Sequence, residues 1–203
     1  SHGMVLAEDA RKMSKSFGNV INPDEIVKKF GADTLRMYEM FMGPFDQAIN
    51  WSSQGVVGLF RFLNRVWQLQ EKLPAKGGSA SGGKTCEILL HKSIKKISED
   101  LDEMKFNTAV SQLMILVNEF EKYEALAAEI YETFLKLLAP FAPHLAEELW
   151  HQFGHKESVF EESWPSYDSR LIEGRTFTLV IQINGKIRDK MEVKKDISQK
   201  EVE

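Results

Sequence analysis

The sequence predicts a mainly α-helical protein: an antiparallel helical bundle, preceded by a loop-rich segment and followed by a β-hairpin. Three observations predict it. Apolar residues recur at helical spacing through most of residues 52–153. The segments between those stretches are short, apart from one Gly/Ser-rich run. After Trp164-Pro165 the period changes from helical to strict alternation.

The elements follow in order. Residues 4–20 read as a loop around Lys12-Met13-Ser14-Lys15-Ser16. Asn22-Pro23-Asp24-Glu25 is a helix start: Asn22 can cap, Pro23 fits the first helical position, and Glu25 can close a capping box. Gly31 ends that helix. A second helix is expected over Asp33–Met42, stopped by Gly43-Pro44. Ser52 or Ser53 can cap a long helix to about Leu73, with Val56, Leu59, Phe60, Leu63, Val66 and Trp67 as its apolar stripe. Pro74–Lys84 has no apolar period and reads as a flexible connection.

Three further helices are expected at Thr85–Met104, from Asn107, and at Glu124–Leu138. The second buries Val110, Leu113, Met114, Val117 and Phe120, and Pro140 stops the third. A shorter one spans Pro143–Phe153. Phe177, Leu179, Ile181 and Ile183 then share one strand face. Asn184-Gly185 is a strong hairpin signal, and Ile187–Val193 returns as the second strand. Ser198 and Glu201 form a capping box that opens a last helix. A helix cut in its first turn predicts an engineered boundary, and a lone hairpin is marginal in water.

The expected organisation is therefore Ser1-His2-Gly3 as a cloning remnant, 4–51 as the lysine loop and its connecting helices, 52–165 as the bundle, and 166–203 as an incomplete small α+β domain. Apolar content of 43% and charged content of 28% suit a globular chain with a real core. No apolar run is long enough to span a bilayer. Cys86 is the only cysteine, which excludes an intrachain disulfide and a cysteine-rich zinc site and fits a reducing cytoplasm. A net charge of −4 argues against bulk electrostatic binding of nucleic acid, so RNA contact must use local patches. Those are Arg11–Lys15, Lys92–Lys96 and Lys186–Lys195.

The chemistry centres on the lysine loop. Two ammonium groups on a run of small residues suit a polyphosphate, whose charge they can neutralise as a leaving group departs. Ser14 and Ser16 add hydroxyl donors, and Gly18 lets the loop bend. The plain alternative is a solvated Lys/Ser loop.

A resemblance narrows the choice. Lys12–Asn19 (KMSKSFGN), then Pro23-Asp24, then Gly31-Ala32-Asp33-Thr34-Leu35-Arg36, resembles in that order the class I aminoacyl-tRNA synthetases for leucine, isoleucine and valine. Glu39-Met40-Phe41-Met42-Gly43-Pro44 is similar to the leucine branch, as are Trp51, Gly55-Val56, Gly58 and Arg61–Trp67. Phe106-Asn107-Thr108-Ala109, Pro140–His144, Ser163-Trp164-Pro165 and Gln182–Arg188 continue the likeness to the end of the chain.

The resemblance, to the bacterial type, implies that Lys15 contacts the phosphates of ATP with Lys12 assisting, within an ATP-binding stretch that includes Met13, Ser14 and Ser16. It implies that residues 52–153 form an anticodon-binding bundle that grips the body of a leucine tRNA without reading the anticodon. The hairpin would face the tRNA elbow and long variable arm. ATP with Mg2+ would be a substrate of the longer enzyme. Neither is expected bound to this chain, which lacks the HIGH signature, the Rossmann core, the editing insert and the leucine pocket. ATP and leucine would be met only through that absent core. On this basis the piece is expected to be inactive alone, cytoplasmic, and without membrane or DNA partners. The valine or isoleucine enzyme is the runner-up, which the hairpin after Trp164-Pro165 disfavours. A stand-alone RNA-binding or scaffolding bundle is the reading from another class.

Other residues stay open between two roles. Arg61 and Arg65, one turn apart, can reach one stretch of phosphate backbone or form a solvated face with Asn64 and Gln68. Trp67 is expected in the core beside Leu63, the alternative being a base stack. Lys186 and Arg188 can bind phosphate or belong to a mixed-charge surface with Asp189 and Glu192. His144, Glu147 or Glu148, and His151 share a helix, but no third strong ligand accompanies them and no metal site is expected. Cys86 is expected in the core.

Overall fold

The computed structural model describes residues 3–44, 46–73 and 83–172, with the backbone of residues 176–183 and 186–194. The chain divides into two compact units, Ser1–Tyr167 and Asp168–Glu203.

The first unit is the helical one. Two short strands, β1 (Val5–Leu6) and β2 (Ile49–Asn50), pair in parallel, Val5 opposite Ile49. The sequence predicts only loop there, because two residues are too few for a strand period. Helix α1 spans Pro23–Phe30, and its Asn22 side chain accepts the Asp24 amide at 3.1 Å. Gly31, at φ 89°, breaks it from α2 (Ala32–Phe41), since a left-handed backbone suits only glycine here. Helix α3 (Ser53–Gln68) begins at Ser52, whose hydroxyl accepts the Gly55 amide, and tightens into a 3-10 turn over Leu69–Lys72.

The bundle continues with α4 (Lys84–Asp102), α5 (Phe106–Phe120), α6 (Ala128–Leu138) and α7 (Pro143–Gln152). Three residues join α4 to α5, so the two pack antiparallel. Helix α6 starts four residues later than its sequence pattern suggests, and Leu126 within the preceding segment is fully buried, its amide on Lys72 O. The core is built from Val56, Leu59, Phe62, Leu63 and Val66 of α3, and Cys86, Leu90, Ile94 and Ile97 of α4. Leu113, Leu116, Val117 and Phe120 of α5 join Tyr131, Phe134, Leu135 and Leu138 of α6. Phe120 meets Phe134 edge to face at 5.5 Å.

Two core expectations need correction. Trp67 is 38% exposed, and Phe62 takes the buried position. The inward stripe centres on residues 59, 62, 63 and 66, so Trp67 falls on its flank. Met114 likewise is half-buried while Leu116 is fully buried.

The second unit contains a short helix, α8 (Ser169–Ile172), and an antiparallel pair, β3 (Thr176–Ile183) and β4 (Lys186–Lys194). Ile183 opposite Lys186 is the pair nearest the turn. Ile181 pairs with Asp189 but Gln182 with Ile187, so Arg188 is the extra residue of a bulge. The Asn184-Gly185 turn and the Ser198/Glu201 capping box lie outside the described residues.

Candidate functional site

The lysine loop is held at both ends. Before it, Trp51 N donates to Leu6 O at 2.8 Å and Ile49 N to Met4 O at 3.1 Å. Residues 7–11 close on themselves: Ala7 N donates to Arg11 O at 2.9 Å and Ala10 N to Ala7 O at 3.0 Å. Asp9 accepts the Arg11 amide at 3.0 Å and its guanidinium at 2.6 Å, which holds the Asp9 carboxyl below the usual range. The Arg11 guanidinium lies 5.1 Å from the centre of the Phe17 ring. Arg11 is therefore spent within the loop's own structure, though it belongs to the basic run.

Asn19 braces the loop from its far side. Its Oδ1 accepts the Ser14 amide at 2.8 Å, and its Nδ2 donates to Lys12 O at 3.4 Å. Ser14 and Ser16 hydroxyls bond each other at 2.8 Å. Lys15–Phe17 is a 3-10 turn ended by Gly18 at φ 64°. Met13 packs against the core, which anchors the middle of the motif. Lys12 and Lys15 are exposed, and neither ammonium has a partner among the described residues. The result is a backbone fixed by side-chain bonds that carries two exposed ammonium groups, unpaired among the described residues. Asn19 carries no charge and lies outside the lysine motif, so nothing marked it beyond its place in the KMSKSFGN run.

Glu8 is a second residue that sequence reasoning passed over. Its Oε1 accepts the Ser53 amide at 2.8 Å, and that bond lowers its pKa. Only the folded chain brings residues 8 and 53 together.

Arg61 and Arg65 do not share one task. Arg61 is exposed and has no partner among the described residues. Arg65 makes a forked pair with Glu121, Nε to Oε1 at 2.8 Å and Nη2 to Oε2 at 2.5 Å, and bonds Asn118 at 2.6 Å. Trp67 lines an open cleft with Phe60, Asn64 and His144. Lys186 and Arg188 stand in β4, where the described backbone gives their register alone.

The histidines of α7 have structural work. His144 Nδ1 lies 2.7 Å from Asp33 Oδ1, and His151 Nδ1 lies 2.8 Å from His155 O. Glu147 accepts the Val159 amide at 3.0 Å and lies 3.3 Å from His151. In the Lys92–Lys96 run, Lys95 and Lys96 pair with Glu99 and Asp100 along α4. Cys86 is fully buried, which pushes its thiol up to about 11 and leaves it a packing residue.

This arrangement, a braced lysine loop leading into a helical bundle, is matched by known families. Residues 86–203 match the anticodon-binding domain of tRNA ligase, and residues 1–52 match the class I tRNA synthetases (I, L, M and V). The chain belongs to the class I tRNA synthetases and carries their anticodon-binding domain.

Among solved structures it is similar to the leucyl-tRNA synthetase of Agrobacterium radiobacter, determined as a ternary complex with tRNA and LeuAMS. The TM-score is 0.83 at 30% identity, over 100% of this chain and 28% of that one. Two methionyl-tRNA synthetase structures from Mycobacterium tuberculosis, both with methionyl-adenylate, share the fold. They have TM-scores of 0.60 and 0.62 at 17% and 18% identity, over 79% and 76% of this chain and 39% and 38% of theirs. The chain thus spans well under half the length of each of these structures.

Proposed function

We propose that this chain serves a leucine-specific class I synthetase, in which Lys12 and Lys15 hold the phosphates of ATP and the bundle grips the body of a leucine tRNA. The observation that carries the reading is the pair of exposed ammonium groups, without partners among the described residues, on a loop whose backbone Asn19 and Met13 fix. Free cations on a preorganised loop stabilise charge that develops on departing pyrophosphate. Mg2+ would enter with the nucleotide, as part of the substrate of the longer enzyme. Leucine is favoured over methionine by the higher identity along the whole chain, and over valine or isoleucine by the strand pair that follows the bundle.

On this reading Arg61 faces tRNA while Arg65 serves the fold, and Lys186 and Arg188 of the second unit contact tRNA phosphates. Leucine activation and tRNA charging belong to a longer enzyme that supplies the remaining active site, and this chain alone is inactive. Its place is the cytoplasm, where tRNA is charged.

The test is amino-acid-dependent pyrophosphate exchange by that longer enzyme, wild type and Lys15→Ala, with leucine, isoleucine, valine and methionine offered separately. Exchange with leucine that falls by about 10²-fold or more in Lys15→Ala is the expected result. An unchanged rate in the variant removes Lys15 from the phosphate site, and exchange with another amino acid alone reassigns the specificity. A stand-alone scaffold would exchange with none.

A further inference from the structure

Glu8 joins the lysine loop to the helix that carries Arg61. Among the described residues, the hydrogen bonding between residues 7–19 and α3 runs from Ser53 to Glu8. Helix α3 already has its cap, because the Ser52 hydroxyl accepts the Gly55 amide at 3.2 Å. The Glu8 carboxylate is therefore not needed to start the helix. What it does is hold residues 7–11, a turn closed by the Ala7 N to Arg11 O bond, against the helix N-terminus. A carboxylate is well matched to that end, where amides are unpaired and the helix dipole is positive.

Lys12 is the next residue after that turn. The far side of the loop returns to the same place, where Gly18 and Asn19 line one cleft with Glu8, Asp9 and Ser53. Asn19 in turn bonds Lys12 O and the Ser14 amide. A continuous set of bonds thus runs from the first residue of α3, through Glu8 and the 7–11 turn, to the backbone that bears Lys12 and Lys15.

We propose that Glu8 is a positioning residue that transmits the position of the α3 N-terminus to the lysine loop, so that the placing of Lys12 and Lys15 depends on the helix that presents Arg61. Its structural half stands on the bonds above, and its consequence for ATP rests on the function proposed for the loop.

Two measurements separate the halves. In this chain, amide hydrogen exchange compares Glu8→Ala and Glu8→Gln with wild type. Glu8 is exposed, so both variants are expected to keep the fold, and thermal unfolding is the check. The Ser53 amide and the loop amides of Ser14, Phe17 and Gly18 are expected to exchange about tenfold faster together in Glu8→Ala. Glu8→Gln, whose amide oxygen still accepts from Ser53, restores the loop. Faster exchange at Ser53 with unchanged loop amides overturns the proposal and leaves Glu8 as a local contact. In the longer enzyme, Glu8→Ala is expected to raise KM for ATP about tenfold with KM for leucine unchanged, and Glu8→Gln to behave as wild type. Accelerated loop amides with an unchanged KM for ATP keep the mechanical link and count against the ATP role of the loop, which Lys15→Ala tests independently.

Discussion

Arg61 and Arg65 lie one turn apart on α3, yet among the described residues one has no partner and the other is spent on the fold. The forked Arg65–Glu121 pair, with Asn118 on the same nitrogen, ties α3 to the end of α5. Both side chains are about a third exposed, so solvent weakens the attraction. Arg65→Ala is expected to cost about 1 kcal/mol in denaturant unfolding at neutral pH, near the upper end for exposed pairs because the geometry is bidentate. Arg65 holds the Glu121 carboxyl below its ordinary 4.5. A depressed carboxylate stabilises the fold fully above pH 4.5 and loses that contribution as pH falls through the folded-state value, so the wild-type advantage should shrink in acid. Arg61→Ala should leave unfolding within about 0.5 kcal/mol of wild type. It should also lower the slope of log tRNA affinity against log salt by about one. An unchanged slope would assign Arg61 to a solvated face. Nothing in sequence separates the two arginines, because Glu121 is 56 residues away.

Helix α3 also shows how an element's partners reverse a local rule. Its glycines at 55 and 58 both weaken an isolated helix, and alanine would gain about 0.5–1 kcal/mol of propensity at each. Gly58 faces open space, so Gly58→Ala should stabilise the chain by about that amount. A Cβ on Gly55 would sit 2.7 Å from Cε2 of Tyr38. That ring cannot easily yield: it is buried, it packs edge-on to Trp51 at 4.8 Å, and its hydroxyl accepts the Ser52 amide at 2.7 Å. Overpacking costs about 1–3 kcal/mol, which outweighs the propensity gain, so Gly55→Ala should lower the melting temperature where Gly58→Ala raises it. Equal shifts of one sign would refute the packing argument. The stripe of α3 was legible at Val56, Leu59, Leu63 and Val66 because a helical period needs no partner to be seen. The exposure of Trp67 was not, since periodicity leaves the centre of a broad stripe undetermined by one residue either way.

Across the whole helical unit, α2 and α7 share one carboxylate. Helix α7 starts with Ala142 at its cap position, which offers no side-chain acceptor. Asp33 of α2, 112 residues earlier and 8% exposed, accepts the Leu145 amide at 2.7 Å and meets His144. Asp33→Ala should cost about 1–2 kcal/mol and speed amide exchange at Leu145, as loss of a cap does. Asp33→Asn, which keeps an acceptor, should cost less. Equal losses in the two variants would show that charge, not the acceptor, carries the contact.

The bundle, the strand pair and the lysine motif were determined by the sequence itself, because period, turn chemistry and charge are local properties of the chain. Only the tertiary structure decided which polar groups meet across 45, 56 or 112 residues: Glu8 with Ser53, Arg65 with Glu121, Asp33 with Leu145. The reason is physical. A charge in a sequence carries no mark of its partner, and packing alone decides which charges fold onto one another and which, like Lys12 and Lys15, stay unpaired among the described residues.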